Sequence, residues 1–234
     1  RGDSFRSRAR RLAHVLSASS PAERYQRIMS HYDDLELADI YTPEFRAELS
    51  RDGVAARAIR DPYRASDAGT LLDRVLDVDV NTLLPGAFLA KVDIASMAYA
   101  LEVRSPLLDH RFVEMAARLP AAVKLDGRVG KRIFKDALRP WIPGHVLDRK
   151  KQGFAVPISE WLRGPLRNLP RDVLLDPRST SRGIFRPEAI SRTIARHEAG
   201  DEDLGKKIWL LIQLELWLQT FVDSRRSGPL ALTL

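Results

Sequence analysis

The stretch LLPGAFLAKVDIASMAYALEVRSPLLD, residues 83–109, decides how the chain is read. Phe88, Leu89, Val92, Ala95, Ser96, Tyr99 and Ala100 are small or apolar at spacings of three and four, which predicts a mostly buried helix over 88–101. Pro85-Gly86 is expected to break the chain off from the helical pattern before it. The helix then opens into the short extended turn Glu102-Val103-Arg104-Ser105-Pro106, and Asp109 is placed to cap the next helix. Side chains alternate along an extended segment, so Glu102 and Arg104 point to the same side. They either position an ionic substrate or fix the turn as an ion pair.

Helical patterns continue on both sides of this stretch. Downstream, 109–119 carries Phe112, Val113, Met115, Ala116 and Leu119 and stops at Pro120. Gly127 and Gly130 precede a helix over 131–138 that Pro140 ends, and a helix over 187–199 ends at Gly200. The segment 204–222 is apolar nearly all round, with Ile208, Trp209, Leu211, Ile212, Leu214, Trp217 and Phe221, and is expected to be a buried spine. Upstream, Ser20-Pro21-Ala22-Glu23 and Thr42-Pro43-Glu44 combine a capping side chain, a proline at the first helical position and a glutamate. They open helices over 21–31 and from 43 toward Gly53. Residues 6–16 form a surface helix, and 67–84 is largely helical. No segment sustains a period of two, so the class is all-α.

Composition narrows the chemistry. A chain of 234 residues with 44% hydrophobic and 29% charged residues has material for a real core. The absence of cysteine excludes a disulfide framework, a thiolate metal site and a cysteine nucleophile. Five scattered histidines with no H-E-x-x-H pair argue against a metal held by protein nitrogen. The net charge of +7 suits an anionic partner, although an arginine-rich proteome gives the same balance. No apolar run is long enough to span a membrane, and RGDSFRSRARR at the start has no apolar segment behind it that would make a secretory signal. The chain begins at Arg1 rather than at a methionine, as expected of a processed chain or a piece of a longer one.

Several residues could carry chemistry. Asp93 sits with Lys91 among apolar neighbours and either accepts a structural hydrogen bond or faces a cleft. Lys131 opens a helix after two glycines, near Arg128, Arg132 and Lys135, an electropositive arrangement that suits phosphate. G-R-V-G-K is nevertheless no Walker A loop, because the glycine spacing is too short and no Ser or Thr follows the lysine. Arg149-Lys150-Lys151-Gln152-Gly153-Phe154 is a basic loop with a glycine hinge, able to close over an anion or simply to stay solvated.

The order of these motifs resembles a known family. Lys91-Val92-Asp93 with Ser96-Met97-Ala98, Leu101-Glu102-Val103-Arg104, and Pro106-Leu107-Leu108-Asp109-His110-Arg111 are similar to the C-terminal part of the glutamine-hydrolysing asparagine synthetases. Gly130-Lys131, the loop Arg149-Lys150-Lys151-Gln152-Gly153-Phe154 with Pro157, and Trp161-Leu162 follow in the family's order. The resemblance implies the helical C-terminal portion of an adenine-nucleotide α-hydrolase-like synthetase domain whose parallel sheet lies upstream. Residues 1–66 would be linker helices and 67–234 the C-terminal part of that domain.

The resemblance also implies a reaction. ATP and Mg²⁺ adenylate the side-chain carboxylate of aspartate, pyrophosphate leaves, and ammonia from a glutaminase domain attacks the aspartyl-AMP. Lys151 matches the family's mobile-loop lysine, the catalytic candidate. Lys131 matches a second lysine with a phosphate contact, Glu102 and Arg104 match the turn near the cleft, and Asp93 joins them as a substrate-binding candidate. Magnesium ligands are not expected in this chain, and a cytoplasmic location follows from the family's chemistry.

Departures accompany the matches. The family's S-G-G-x-D-S pyrophosphate loop, its acidic S-G-E-G-x-D-E segment and its N-terminal cysteine nucleophile are not in this sequence. Ile94 stands where arginine is usual, and Phe134 and Lys135 replace leucine and arginine. The segment alone is therefore expected to be inert. Two alternatives stand beside this reading: a related amide- or lactam-forming synthetase, including a lasso-peptide cyclase, and a non-catalytic basic helical module binding nucleic acid. Aromatic residues at 7%, mostly in apolar patterns, argue against the latter.

Overall fold

The computed structural model describes residues 5–49, 54–127, 129–150 and 156–223. Its helices are, in order, α1 (Phe5–Leu16), α2 (Pro21–Met29), α3 (Asp34–Ile40), α4 (Pro43–Glu48), α5 (Val54–Ala65), α6 (Leu71–Asn81), α7 (Ala90–Met97), α8 (His110–Arg118) and α9 (Ala121–Lys124). A short antiparallel pair, β1 (Leu125–Asp126) and β2 (Val129–Gly130), comes next. Then follow α10 (Arg132–Leu138), α11 (Gly144–Leu147), α12 (Ile158–Arg163), α13 (Leu169–Leu174), α14 (Pro177–Thr180), α15 (Pro187–Ala199) and α16 (Gly205–Trp217). The all-α expectation needs one correction, since Gly127, at φ +56°, allows the tight reversal that pairs β1 with β2.

The helix starts follow from local chemistry. Ser20 accepts the Glu23 amide at 3.2 Å, while the Glu23 carboxylate reaches back to Ser19 rather than to Ser20. Asp33 and Glu36 complete a full capping box at the start of α3. Thr42 accepts the Phe45 amide, and Gly200, at φ +79°, closes α15.

Contacts divide the chain into two units, residues 1–53 with 155–234 and residues 54–154. The first has a continuous core of Ile40, Leu162, Leu174, Phe185, Ile190, Ile194, Leu204, Ile208, Leu211 and Ile212. Residues 40–42 and 184–186 run side by side in opposite directions: Thr42 donates to the Ile184 carbonyl, Arg186 donates to the Ile40 carbonyl, and the Tyr41 ring stacks on Phe185 at 6.0 Å. Gly205 is the close approach between α12 and α16, where a Cβ would lie 2.7 Å from the Ser159 Cα.

The spine is not buried all round. Ile208, Leu211, Ile212 and Glu215 form its buried stripe, whereas Leu210, Leu214, Leu216, Trp217 and Phe221 are exposed. The helix ends at Trp217 and continues as a wider turn, Leu218–Asp223. Glu215 is fully withdrawn from water and receives Nε and Nη2 of Arg182, with Nε to Oε2 at 2.9 Å, together with the Gln219 amide at 2.9 Å. Arg182 also donates from Nη1 to Asp223 at 3.0 Å. The hydrogen bonds to Asp223 and Glu215 push the Arg182 pKa still higher, so its charge is permanent.

The second unit is thinly packed. Among its described residues only Tyr63, Ser66 and Val78 are buried. The Lys124 ammonium joins Asp73 at 2.7 Å, and this bond, with that from Thr70, holds the Asp73 carboxyl below its usual range. Helix α5 went unread in the sequence because it holds Pro62, which removes an internal donor. The predicted break at Pro85-Gly86 is not observed: residues Leu84–Leu89 form a wider helical turn leading directly into α7. The extra residue in the wider turn accommodates the proline within a continuous helix. The predicted burial of 88–101 is also overturned. Phe88, Leu89, Val92, Ile94, Met97, Tyr99 and Leu101 are all exposed, Tyr99 at 88%, because nothing among the described residues of this unit covers them.

Removing Arg182 would strand a buried carboxylate. Arg182→Ala is expected to lower the unfolding free energy by about 3–5 kcal/mol, while Arg182→Met combined with Glu215→Leu should recover most of that loss. Urea unfolding of the two variants reads the difference; equal losses would contradict a buried ion pair at this position.

Candidate functional site

Four of the five residues singled out in the sequence lie in the described part of the second unit; Lys151 lies outside the described residues. Each owes its placement to local backbone chemistry. At the end of α7, Leu101 N–H donates to the Ser96 carbonyl and Ala100 N–H to the Met97 carbonyl, both at 3.0 Å. This pair of bonds is a Schellman ending, and it puts Ala100 in the left-handed region at φ 53°. The reversal turns the chain out of the helix into the extended run 102–105, and Pro106–Leu108 then forms a single tight turn.

Glu102 and Arg104 do face the same side, as alternation requires. The Arg104 Nε donates to Glu102 Oε1 at 2.5 Å, with the two side chains 87% and 70% exposed respectively. Such a pair contributes roughly 0–1 kcal/mol in water, too little to organise the fold. The geometry thus supplies the ion pair, and both side chains stay accessible to a partner.

Asp109 caps α8 as expected. It accepts the Arg111 amide at 3.0 Å and is gripped by the Arg111 side chain through Nε at 3.1 Å and Nη2 at 3.2 Å. The Arg111 side-chain bond is the largest cause that holds its carboxyl below the usual range. Asp93 is exposed on the first turn of α7, where its backbone carbonyl accepts the Ser96 hydroxyl. The Lys91 ammonium lies 5.4 Å from the centre of the Phe88 ring, a cation–π contact.

Lys131 sits between β2 and α10 in the left-handed region at φ 58°. A lysine there carries a backbone penalty of roughly 1–2 kcal/mol that glycine would not. Its exposed ammonium has no partner among the described residues, whereas the neighbouring Arg132 is engaged by Asp126 at 2.7 Å. A free cation on a strained residue that the fold tolerates is compatible with a phosphate contact. Among the described residues no group of three or more His, Cys, Asp or Glu side chains is placed to hold a metal ion.

Asp93, the Glu102–Arg104 pair and Lys131 are therefore all on accessible surface of one unit, in segments that also expose Ile94, Met97, Tyr99, Val103, Leu107 and Val129. The motif's charges and these exposed apolar side chains thus share the surface of one unit. A second cluster, not legible in the sequence, lies in the other unit, where His197 is buried, takes the Leu204 amide on Nδ1 at 3.2 Å and lies 3.2 Å from the Arg163 guanidinium. Burial, then the Arg163 charge, pushes the His197 pKa down.

Comparison with known proteins agrees with the motif order. The profile of the family described as Asparagine synthase matches residues 2–219. A putative glutamine-hydrolysing asparagine synthetase of Mycobacterium tuberculosis is 32% identical over 203 residues, which is 86% of this chain and 30% of the relative. Asparagine synthetase [glutamine-hydrolyzing] 1 of Bacillus subtilis is 29% identical over 163 residues, covering 70% of this chain and 26% of the relative. The chain thus spans less than a third of the length of these relatives. No solved structure matches.

The two left-handed residues give a direct test of the local geometry. Ala100→Gly and Lys131→Gly are each expected to stabilise the chain by about 0.5–1 kcal/mol, the left-handed penalty less the extra entropy glycine adds to the unfolded chain. Thermal unfolding measures it, and a loss of stability in both variants would contradict the left-handed assignments.

Proposed function

The chain belongs to the asparagine synthase family, and on that premise we propose that it is the helical C-terminal part of an ATP-dependent amidotransferase that converts aspartate to asparagine. Residues 67–234 would form this part of the synthetase domain and 1–66 the helices leading into it. An upstream nucleotide-binding sheet would cover the exposed apolar face of residues 84–108, and a glutaminase domain would deliver ammonia. The observation that carries the reading is the coincidence of the family's motif charges with uncovered apolar surface in one unit.

ATP would supply the adenylyl group that turns a carboxylate into a mixed anhydride with AMP, pyrophosphate being the leaving group. This chain's residues would manage charge around that step. Lys131 would bind phosphate through its unpartnered ammonium, and the Glu102–Arg104 pair would open toward the substrate, Arg104 to a carboxylate and Glu102 to an ammonium. Asp93 would line the same side. Lys151, in its basic loop, would bring a fixed cation onto charge that grows in the transition state, where exclusion of water raises its effect. Mg²⁺, implied by the family's use of ATP, would take its ligands from outside the described residues. No helix among the described residues is long and apolar enough to cross a membrane, in keeping with a cytoplasmic biosynthetic enzyme.

The experiment is a comparison of the complete enzyme with its Lys151→Ala variant. Asparagine formation should fall by about 10²–10³-fold while glutamine hydrolysis persists. An unchanged synthetase rate would remove Lys151 from the site. The isolated chain should show no aspartate-dependent exchange of pyrophosphate into ATP; robust exchange by this chain alone would overturn the reading.

A further inference from the structure

The first unit contains a cleft of about 270 Å³ that the proposed reaction leaves unused. It lies where α1 and the α2–α3 junction meet the turn into α16, and Arg11, His31, Tyr32, Lys206 and Lys207 are among the side chains that line it. Carboxylates line it too, but each is already engaged. Glu36 pairs with Lys207, Asp33 caps the Glu36 amide, Glu202 pairs with Arg196, and Asp203 accepts Ser159 and the Gly205 amide.

The cations are differently placed. Arg27 is committed to Glu23 and the His14 carbonyl, but among the described residues Arg11 uses one Nη2 bond, to the Ile28 carbonyl. Lys206 and the His31 ring have no partner among the described residues. The Tyr32 hydroxyl is closed off from solvent without a hydrogen-bond partner, and the Lys207 ammonium lies 5.2 Å from the centre of its ring. Lys206 and Lys207 also occupy the first turn of α16, a helix with no acidic residue there, so the helix dipole adds to their field. The cleft therefore holds donors on Arg11, Lys206 and His31 that no carboxylate among the described residues takes up, beside carboxylates that already accept hydrogen bonds.

We propose that this cleft binds a small oxyanion of the phosphate class through Lys206, Arg11 and His31. Arg11 offers a planar fork and Lys206 a point charge, the two ways proteins grip such groups. Partial burial, and then Arg11, Lys206 and Lys207, push the His31 pKa down. An entering dianion reverses that balance: it compensates the cations and accepts a hydrogen bond from the protonated imidazole, which keeps its proton, so binding and His31 protonation are linked. The site is independent of the proposed synthetase chemistry, which draws on the other unit.

The test follows the His31 ring resonance by NMR, assigned through His31→Gln, as inorganic phosphate or phenyl phosphate is added against chloride at matched ionic strength near neutral pH. Phosphate should shift the resonance saturably and raise the His31 titration midpoint. Lys206→Ala should weaken binding by about tenfold or more, and Arg118→Ala, which removes an exposed charge in the other unit, by less than about twofold. Tighter binding of phenyl phosphate would identify a phosphomonoester as the ligand, and equal or weaker binding would identify free phosphate. No phosphate-specific shift, or equal weakening by the two variants, would overturn the site.

Discussion

A carboxylate that has lost all contact with water must be answered by a fixed cation, and Glu215 imposes that demand on the larger unit. Arg182 meets it with two donors and turns others to Asp223, so the end of α16 is tied to the loop after α14. That loop leads through Gly183, at φ +68°, directly into 184–186, whose backbone holds 40–42. Ile40 enters the core through this pairing, with Asp39 beside it bound by Arg186 and Arg192. One buried charge is thus linked to how residues 39–42 meet a core built more than a hundred residues later in the chain.

The other unit obeys the opposite economy. It buries little, is held by caps, one partly covered Lys124–Asp73 bridge and short turns, and leaves large apolar side chains in water. Left-handed Ala100 and Lys131 lie in the same unit, at the ends of the segments that carry the family's motifs. A thin core, exposed apolar surface and left-handed backbone are together what the proposed function expects of a part whose packing an upstream segment would complete. In that proposal the charged residues would stand at the edge of a cleft whose opposite wall the upstream part would supply.

Much of the fold was legible because helix ends are local. Ser20, Asp109 and Gly200 announce their boundaries in three or four residues, and the structure places caps at each. Non-local features were not legible. The small apolar residues of 88–101 encode a buried face, but burial depends on what lies against it. Glu215 looks like an interruption of an apolar stripe until Arg182, thirty-three residues away, is placed beside it. Pro85 reads as a break, yet it is absorbed by a continuous helix, as Pro62 is within α5. Of the site, the positions of Asp93, Glu102, Arg104 and Lys131 came from motif order and the ion pair from strand alternation, whereas the His31 cleft joins residues too far apart in sequence to form a motif.

The most direct measurement of the central claim is amide hydrogen exchange across residues 84–108, in this chain alone and in the complete enzyme. If these residues form a face that the nucleotide-binding part covers, their amides will exchange rapidly in the isolated chain and gain strong protection in the complete enzyme, while the α15 and α16 core changes little. The same exchange rates over 84–108 in both would contradict the account.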